Sequence, residues 1–303
     1  MNLAQSAVET FEQERSRLEG LAYRMLGSVA DAEDVVQDAY LRWVGGHPDH
    51  PTHREVDNPG AFLSTIVTRL AIDRLRSARH QREQYVGPWL PEPLVPGRGP
   101  EPEIGPDDEV VLAESLTLGF LAVLERLGPV ERAVFLLHDV FALPFAQVAE
   151  VVERSEQNCR QIARRSRTRI NAERVRFVPQ PAESEPLVDA FFAALVEGDV
   201  VGLEKLLAAD VVHVSDGGAD RHAARKPITG RARVARFLAN IAGRAPAGTL
   251  VQRTTVNGEP GLLVTVDGEP FVVLTIRVVG EEIVGVWAVV NPTKLAHLGA
   301  ADG

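Results

Sequence analysis

The chain has 303 residues, 45% of them hydrophobic and 24% charged, with a formal net charge of -10. That length exceeds one small core and predicts two or three domains. A single cysteine, Cys159, excludes an internal disulfide. The absence of any apolar run near the roughly 20 residues of a membrane helix argues against a membrane protein, and the acidic start Met1–Glu14 lacks a signal-peptide pattern, so a cytoplasmic protein is expected.

Residues from about Glu9 to Arg82 read as helical. Apolar positions recur at helical spacing in Leu18, Leu21, Ala22, Met25 and Leu26. Gly27 and Ser28 interrupt the run, and Asp31 suits the cap of a second helix that carries Val35, Val36, Ala39, Tyr40 and Trp43. A loop over 45–59 holds three prolines and three histidines. His47, His50 and His53 lack a cysteine or carboxylate at ligand spacing, so no metal site and no cofactor are expected. A third helix follows from about Pro59 to Arg82, where five arginines stand against one acid between Arg69 and Arg82.

The stretch 87–106 contains seven prolines and four glycines and reads as a linker. Trp89, Leu90 and Leu94 make it too apolar for a free tether, so the aromatic is expected to dock. A second helical unit runs from about Asp108 to Phe177, and between Ala146 and Phe177 it carries eight arginines and four acids. Local basic faces of this kind can hold phosphates although the chain as a whole is acidic.

Within that unit, Leu143–Ile170 has the pattern of a helix-turn-helix. Pro144 opens a short helix, Phe145–Val152, and Ser155 suits the N-cap of the next. The second helix separates by face: Cys159, Ile162, Ala163, Ser166 and Ile170 on one side, and Gln157, Arg160, Gln161, Arg164, Arg165 and Thr168 on the other. A helix that reads DNA needs this division, with one face packed and the other presenting amides and guanidiniums to the major groove. Within the DNA-facing set Ser155, Gln157, Asn158, Arg160, Gln161, Arg164 and Arg165, the early residues from Glu156 to Arg160, with Gln161, would approach base edges, and the later arginines, Arg165 or Arg169 above all, would hold phosphates.

After a short linker at Pro179–Pro186 the character changes. Helices are predicted at Leu187–Glu197, Val201–Ala208 and Arg231–Ala242. β-branched runs follow Val211, Leu250, Leu262, Phe271 and Ile283, with hairpin signals at Asn257-Gly258 and Asp267-Gly268. This predicts an α+β domain.

Three stretches taken together resemble the extracytoplasmic-function RNA polymerase sigma factors. Ala32-Glu33-Asp34-Val35-Val36-Gln37-Asp38-Ala39-Tyr40 looks like their polymerase-binding helix. Asn58-Pro59-Gly60-Ala61-Phe62-Leu63, continuing to Ala71-Ile72-Asp73-Arg74-Leu75-Arg76, looks like their −10 promoter helix, and Leu143–Arg169 like their −35-reading unit. The linker Trp89-Leu90-Pro91-Glu92-Pro93-Leu94, the loop Ser215-Asp216-Gly217-Gly218 and the ending Asn291-Pro292-Thr293-Lys294-Leu295 are similar to the subgroup with a fused SnoaL-like domain. After Gly218 the chain departs from that pattern, with Ala219-Asp220-Arg221.

The resemblance implies two all-α sigma domains followed by an α+β SnoaL-like cone: 8–82, a linker 83–107, the helix-turn-helix domain 108–177, and a regulatory domain 183–303. It implies core RNA polymerase and promoter DNA as partners. Asp31, Glu33, Asp34, Gln37 and Asp38 would face polymerase; Asn58, Phe62, Arg69, Arg74 and Arg76 would serve the −10 region. Trp89, Asp216, Gly217 and Gly218 would form the regulatory interface. A sigma factor breaks no bonds, so no catalytic residue is expected. Two alternatives remain for the last domain: a sensor with a small-molecule ligand in its cavity, and a cyclase, isomerase or hydrolase-like enzyme drawing an acid or base from His213, Asp216, Asp220 and His222.

Overall fold

A computed structural model describes residues 3–45, 56–98, 115–174 and 185–299. The histidine-bearing loop His47–His53 lies outside the described residues. Two compact units are present. The first takes Met1–Glu83, Pro102–Ser115 and Leu124–Ile170; the second takes Gln84–Glu101, Leu116–Val123 and Asn171–Gly303.

The first unit is helical. α1 (Leu3–Leu26), α2 (Val29–Gly45) and α3 (Pro59–Glu83) pack together, because each presents an apolar stripe at helical spacing. Phe11, Leu18, Leu21, Met25, Val36, Ala39, Leu63 and Val67 are buried there. Gly27 closes α1 in the left-handed region at φ 66°, with its amide donating to Tyr23 O at 2.7 Å, a common helix C-terminus. Farther along the chain, α4 (Leu118–Leu124) belongs to the second unit except for Leu124, and the first unit continues with α5 (Pro129–Phe135), a π turn over Leu136–Val140, α6 (Phe145–Val152) and α7 (Glu156–Arg174) as far as Ile170.

Two arginines fasten these helices reciprocally. Arg132 of α5 is buried, pairs with Glu125 at 2.6 Å and donates to Met25 O near the end of α1 at 2.6 Å. Arg69 of α3 donates to Glu150 O at 2.9 Å and Val151 O at 3.1 Å at the end of α6. Each guanidinium satisfies carbonyls that a helix C-terminus leaves unpaired and complements the negative end of its dipole.

The second unit holds α8 (Glu185–Glu197), α9 (Val200–Leu206), α10 (Arg231–Ala242), α11 (Pro292–Leu295) and a six-stranded sheet in the order β2-β1-β6-β5-β4-β3. The strands are β1 (Leu207–Asp216), β2 (Ile228–Thr229), β3 (Thr249–Val256), β4 (Glu259–Val266), β5 (Glu269–Val279) and β6 (Glu282–Val289). Only the β1–β6 pairing is parallel. Asn257 and Asp267 adopt φ 52° with Gly258 and Gly268 beside them, the mirror-image hairpin turns expected from those dipeptides.

Alternation along the strands gives the sheet two apolar faces. One packs Val211, Leu262, Leu274, Ile276, Val286 and Ala288 against Phe191, Leu203 and Leu238 of the covering helices. The other packs Leu263, Val273, Trp287 and Val289 against Leu90, Val95, Leu118, Leu295 and Leu298. Helices on one face of a mixed sheet are the architecture expected of the SnoaL-like domain. The opposite face is covered by the chain's own linker, whose Leu90 is wholly buried, a contribution of roughly 2 kcal/mol for one leucine.

Candidate functional site

α7 presents the division read from its sequence. Ser155 Oγ accepts from the Asn158 amide at 3.2 Å, capping the helix. Cys159, Ala163, Ser166 and Ile170 are buried; Gln157, Asn158, Arg160, Gln161, Arg164 and Arg165 are exposed. Burial pushes the Cys159 thiol up from its ordinary value, so it is a packing residue rather than a nucleophile. Arg160 pairs with Glu156 at 2.8 Å and lies 4.8 Å over the Phe145 ring, which holds its side chain across the start of the helix. Arg167 and Arg169 are engaged farther along, with Asp139 at 2.5 Å and Glu131 at 2.7 Å, so Arg169, expected at phosphate, is tied to a carboxylate of its own unit. Arg164 and Arg165 pair with no described residue, which leaves two guanidiniums open to phosphate.

The arginines of α3 are differently placed. Arg69 is committed to the end of α6 and lies 3.4 Å from the Glu153 carboxylate. Arg74 donates to Asp31 at 2.9 Å and reaches Asp34 at 3.4 Å, so a residue expected at promoter DNA is tied to two expected at polymerase. The hydrogen bond to Asp31 holds the Arg74 guanidinium above its ordinary value. Arg76 pairs locally with Asp73 at 3.2 Å. Asn58 Oδ1 accepts from the Ala61 amide at 3.0 Å and caps α3, while Phe62 is half-buried 6.0 Å from Trp43.

On α2, Glu33, Asp34, Gln37 and Asp38 are exposed and Asp31 is half-buried. One further turn along that face stands Leu41, 58% exposed. An exposed leucine beside carboxylates was legible in the sequence from its i+3 and i+4 spacing to Asp38 and Gln37, but it was not singled out there.

In the second unit Asp216 is fully buried at the end of β1 and completely partnered. Its carboxylate accepts from the Tyr85 hydroxyl, from the Leu90 amide at 2.7 Å, from the Gly218 amide at 3.1 Å and from Lys294 Nζ at 2.7 Å. Lys294 also donates to Leu90 O, and its ammonium sits 3.7 Å over the Trp89 ring. Asn291 Nδ2 donates to the Tyr85 oxygen at 2.7 Å. Burial, with Asp216 adding to it, raises the Tyr85 phenol well above its ordinary value, so it stays a proton donor.

Both glycines of the loop are required by space. A Cβ on Gly217 would stand 2.5 Å from Arg221 O, and one on Gly218, at φ 59°, 2.7 Å from Asn291 Nδ2. A second fastening uses Asn257, whose Oδ1 accepts from the Leu94 amide at 2.9 Å, whose amide donates to Leu94 O at 2.9 Å, and whose Nδ2 donates to Leu116 O at 2.8 Å. Tyr85 and Asn257 were missed as site residues. Nothing in a tyrosine or a hairpin asparagine announces a partner more than a hundred positions away.

The alternative acid–base set is split: Asp220 and His222 line one recess, while His213 and Asp216 are buried apart from it. His213 and Asp216 point to opposite faces of β1 by strand alternation. His213 is buried 5.0 Å from the Phe237 ring, and among the described residues neither of its ring nitrogens has a hydrogen-bond partner. Burial lowers it to about 4, and the nearby Val286 backbone, which does not reach hydrogen-bond geometry, opposes the shift only in part. It lacks the carboxylate that would make it a base near neutrality. Asp220 and His222 are exposed. Among the described residues, no helix is long and apolar enough to cross a membrane, and no group of three or more His, Cys, Asp or Glu could hold a metal.

Residues 10–81 match the Sigma-70 region 2 family, and residues 118–170 match Sigma-70, region 4. The ECF RNA polymerase sigma factor SigJ of Mycobacterium tuberculosis is 39% identical over 298 residues, spanning 95% of this chain and 92% of that protein. The chain belongs to the ECF RNA polymerase sigma factors. The probable ECF sigma factor SigI of the same species is 32% identical, spanning 95% of this chain and 94% of its own length. A crystal structure of M. tuberculosis SigJ matches with a TM-score of 0.73 at 35% identity, covering 96% of this chain and 98% of that one. The similarity therefore includes the C-terminal α+β domain as well as the two regions that define an ECF sigma factor.

Proposed function

We propose that this chain is a promoter-specificity subunit that binds core RNA polymerase, directs transcription initiation, and is modulated by its own C-terminal domain. The observation that carries the reading is α7, where a buried Cys159–Ala163–Ser166–Ile170 stripe backs an exposed row of Gln157, Arg160, Gln161, Arg164 and Arg165. On this reading Arg160 and Gln161 contact bases of the −35 element and Arg164 and Arg165 its phosphates. Asn58, Phe62, Arg69, Arg74 and Arg76 serve the −10 element, which requires Arg69 and Arg74 to leave their present partners. Asp34, Gln37 and Asp38, with Leu41, form the polymerase-facing surface.

Reconstitution with core RNA polymerase and mapping of transcription starts tests the function directly. Arg160→Ala is expected to cost about 1–3 kcal/mol and relax preference at one base position. Equal weakening on specific and random DNA would overturn the base-reading role. Arg165→Ala is expected to weaken all sequences alike and reduce the salt slope by about one.

Modulation is supported by the linker fastening. Asp216, Lys294, Asn291 and Asn257 hold residues 85–94, a segment that in the sequence joins the two sigma regions. Releasing it by Asp216→Asn should change promoter-dependent transcription at equal protein level. Identical transcription from the full chain and that variant would remove the regulatory role.

A further inference from the structure

A pocket of about 190 Å³ opens where the linker meets the β1 loop. Val86, Gly87 and Pro88 form one wall, and Ser215 with the segment from Gly217 to Arg225 forms the other. The lining residues include two arginines, Arg221 and Arg225, and His222, against one acid, Asp220. All four are exposed, and no described residue forms an ion pair with any of them. Arg221 is steadied by the Phe271 ring, 4.5 Å from its guanidinium carbon.

The strongest nearby negative charge does not cancel this balance. Asp216 lies between Ser215 and Gly217 but is absent from the lining, fully buried and already neutralised by Lys294 at 2.7 Å. The walls are close: a Cβ on Gly87, at φ 84°, would stand 3.6 Å from the Arg225 Cα. Two arginines at the rim of one recess, neither in an ion pair with a described residue, suit an anion with several acceptor oxygens, because each guanidinium can donate more than one charge-assisted hydrogen bond.

We propose that this pocket binds a small polyvalent anion of the phosphate class, and that the occupant holds the linker wall against the loop wall. The inference deepens the regulatory reading and rests on it. Whatever binds only the docked arrangement stabilises that arrangement in proportion to its concentration over its dissociation constant. Occupancy would thus couple the level of a phosphorylated small molecule to release of the linker.

Inorganic pyrophosphate, titrated into the full-length chain at constant low ionic strength, is the probe. Because α7 can also attract phosphate, variants separate the two sites. Arg221→Ala/Arg225→Ala is expected to weaken binding at this site by about tenfold or more, while Arg164→Ala/Arg165→Ala leaves it in place. Asp220→Asn, which removes the one opposing carboxylate, is expected to tighten it. Equal affinity in the wild type and Arg221→Ala/Arg225→Ala would overturn the site, since both arginines are exposed and their loss leaves the core untouched.

Hydrogen exchange at the Leu90 amide, which donates to Asp216, reads the coupling. Pyrophosphate at about 100 times its dissociation constant should slow exchange by up to about 100-fold, and Arg221→Ala/Arg225→Ala should abolish the slowing. A Leu90 amide that is protected yet indifferent to pyrophosphate sinks the ligand proposal and leaves the linker fastening standing. A Leu90 amide that exchanges freely without ligand sinks the fastening itself.

Discussion

His213 and Asp216 lie on one strand and meet opposite surroundings. The helix-covered face of the sheet receives an imidazole with no hydrogen-bond partner among the described residues, wedged beside Phe237 among aliphatic side chains. The linker-covered face receives a carboxylate with four donors: Tyr85, Leu90, Gly218 and Lys294. The polar chemistry is gathered on the linker-covered side, where it holds a piece of the same chain. The contrast teaches that buried polar groups mark a role only through what answers them. His213 is a cost the domain tolerates, and Asp216 is the anchor of a contact.

The largest expected effect that could break this contrast comes from Asp216→Ala. It strands the Lys294 ammonium, which is 8% exposed in its side chain, and should destabilise the chain by about 3–5 kcal/mol. Adding Lys294→Met should recover much of the loss, because the orphaned charge is then gone. Urea unfolding of the full-length variants measures both, and a small effect of the single change would place Asp216 among the tolerated groups with His213.

The next effect depends on pH. His213 in the folded protein titrates at about 4, below its ordinary 6.5, so the unfolded chain binds the extra proton first. Stability associated with the neutral ring is complete above pH 6.5 and falls as pH drops toward 4, by up to on the order of 3 kcal/mol. His213→Leu should flatten that slope in unfolding curves taken between pH 7 and 4. An unchanged slope would mean that the ring is answered by a partner after all.

Asn257→Gly keeps the left-handed turn conformation and deletes only the side chain. Loss of its bonds to Leu94 and Leu116 should cost about 1–3 kcal/mol and speed hydrogen exchange at the Leu94 amide. Slow exchange in that variant would confine the fastening to Asp216. The smallest effect is expected from Trp89→Leu, which keeps apolar cover but removes the ring beneath the Lys294 ammonium. A loss of about 0.5–2 kcal/mol in thermal or urea unfolding would give the cation–π contact its share.

Much of this is legible in the sequence. Helical spacing placed α1, α2 and α3, the two faces of α7 followed from its periodicity, and Asn257-Gly258 and Asp267-Gly268 located two hairpins, because local dihedral preferences and burial repeats are written in neighbouring residues. The proline-rich linker with an aromatic inside it, and a glycine loop able to approach a neighbour closely, pointed to a docked contact that includes Trp89, Asp216, Gly217 and Gly218.

Tertiary structure alone decided who answers whom. Arg69 and Arg74 are indistinguishable in sequence from Arg164 and Arg165, yet the first pair is consumed by Glu150, Val151, Asp31 and Asp34 while the second stands open. Tyr85 and Lys294 converge on one buried carboxylate from chain positions 85, 294 and 216. Such convergence depends on where folding brings distant segments together, and no local spacing encodes it; by itself the sequence determined which surfaces could carry charge, and the fold determined which of those charges remain free.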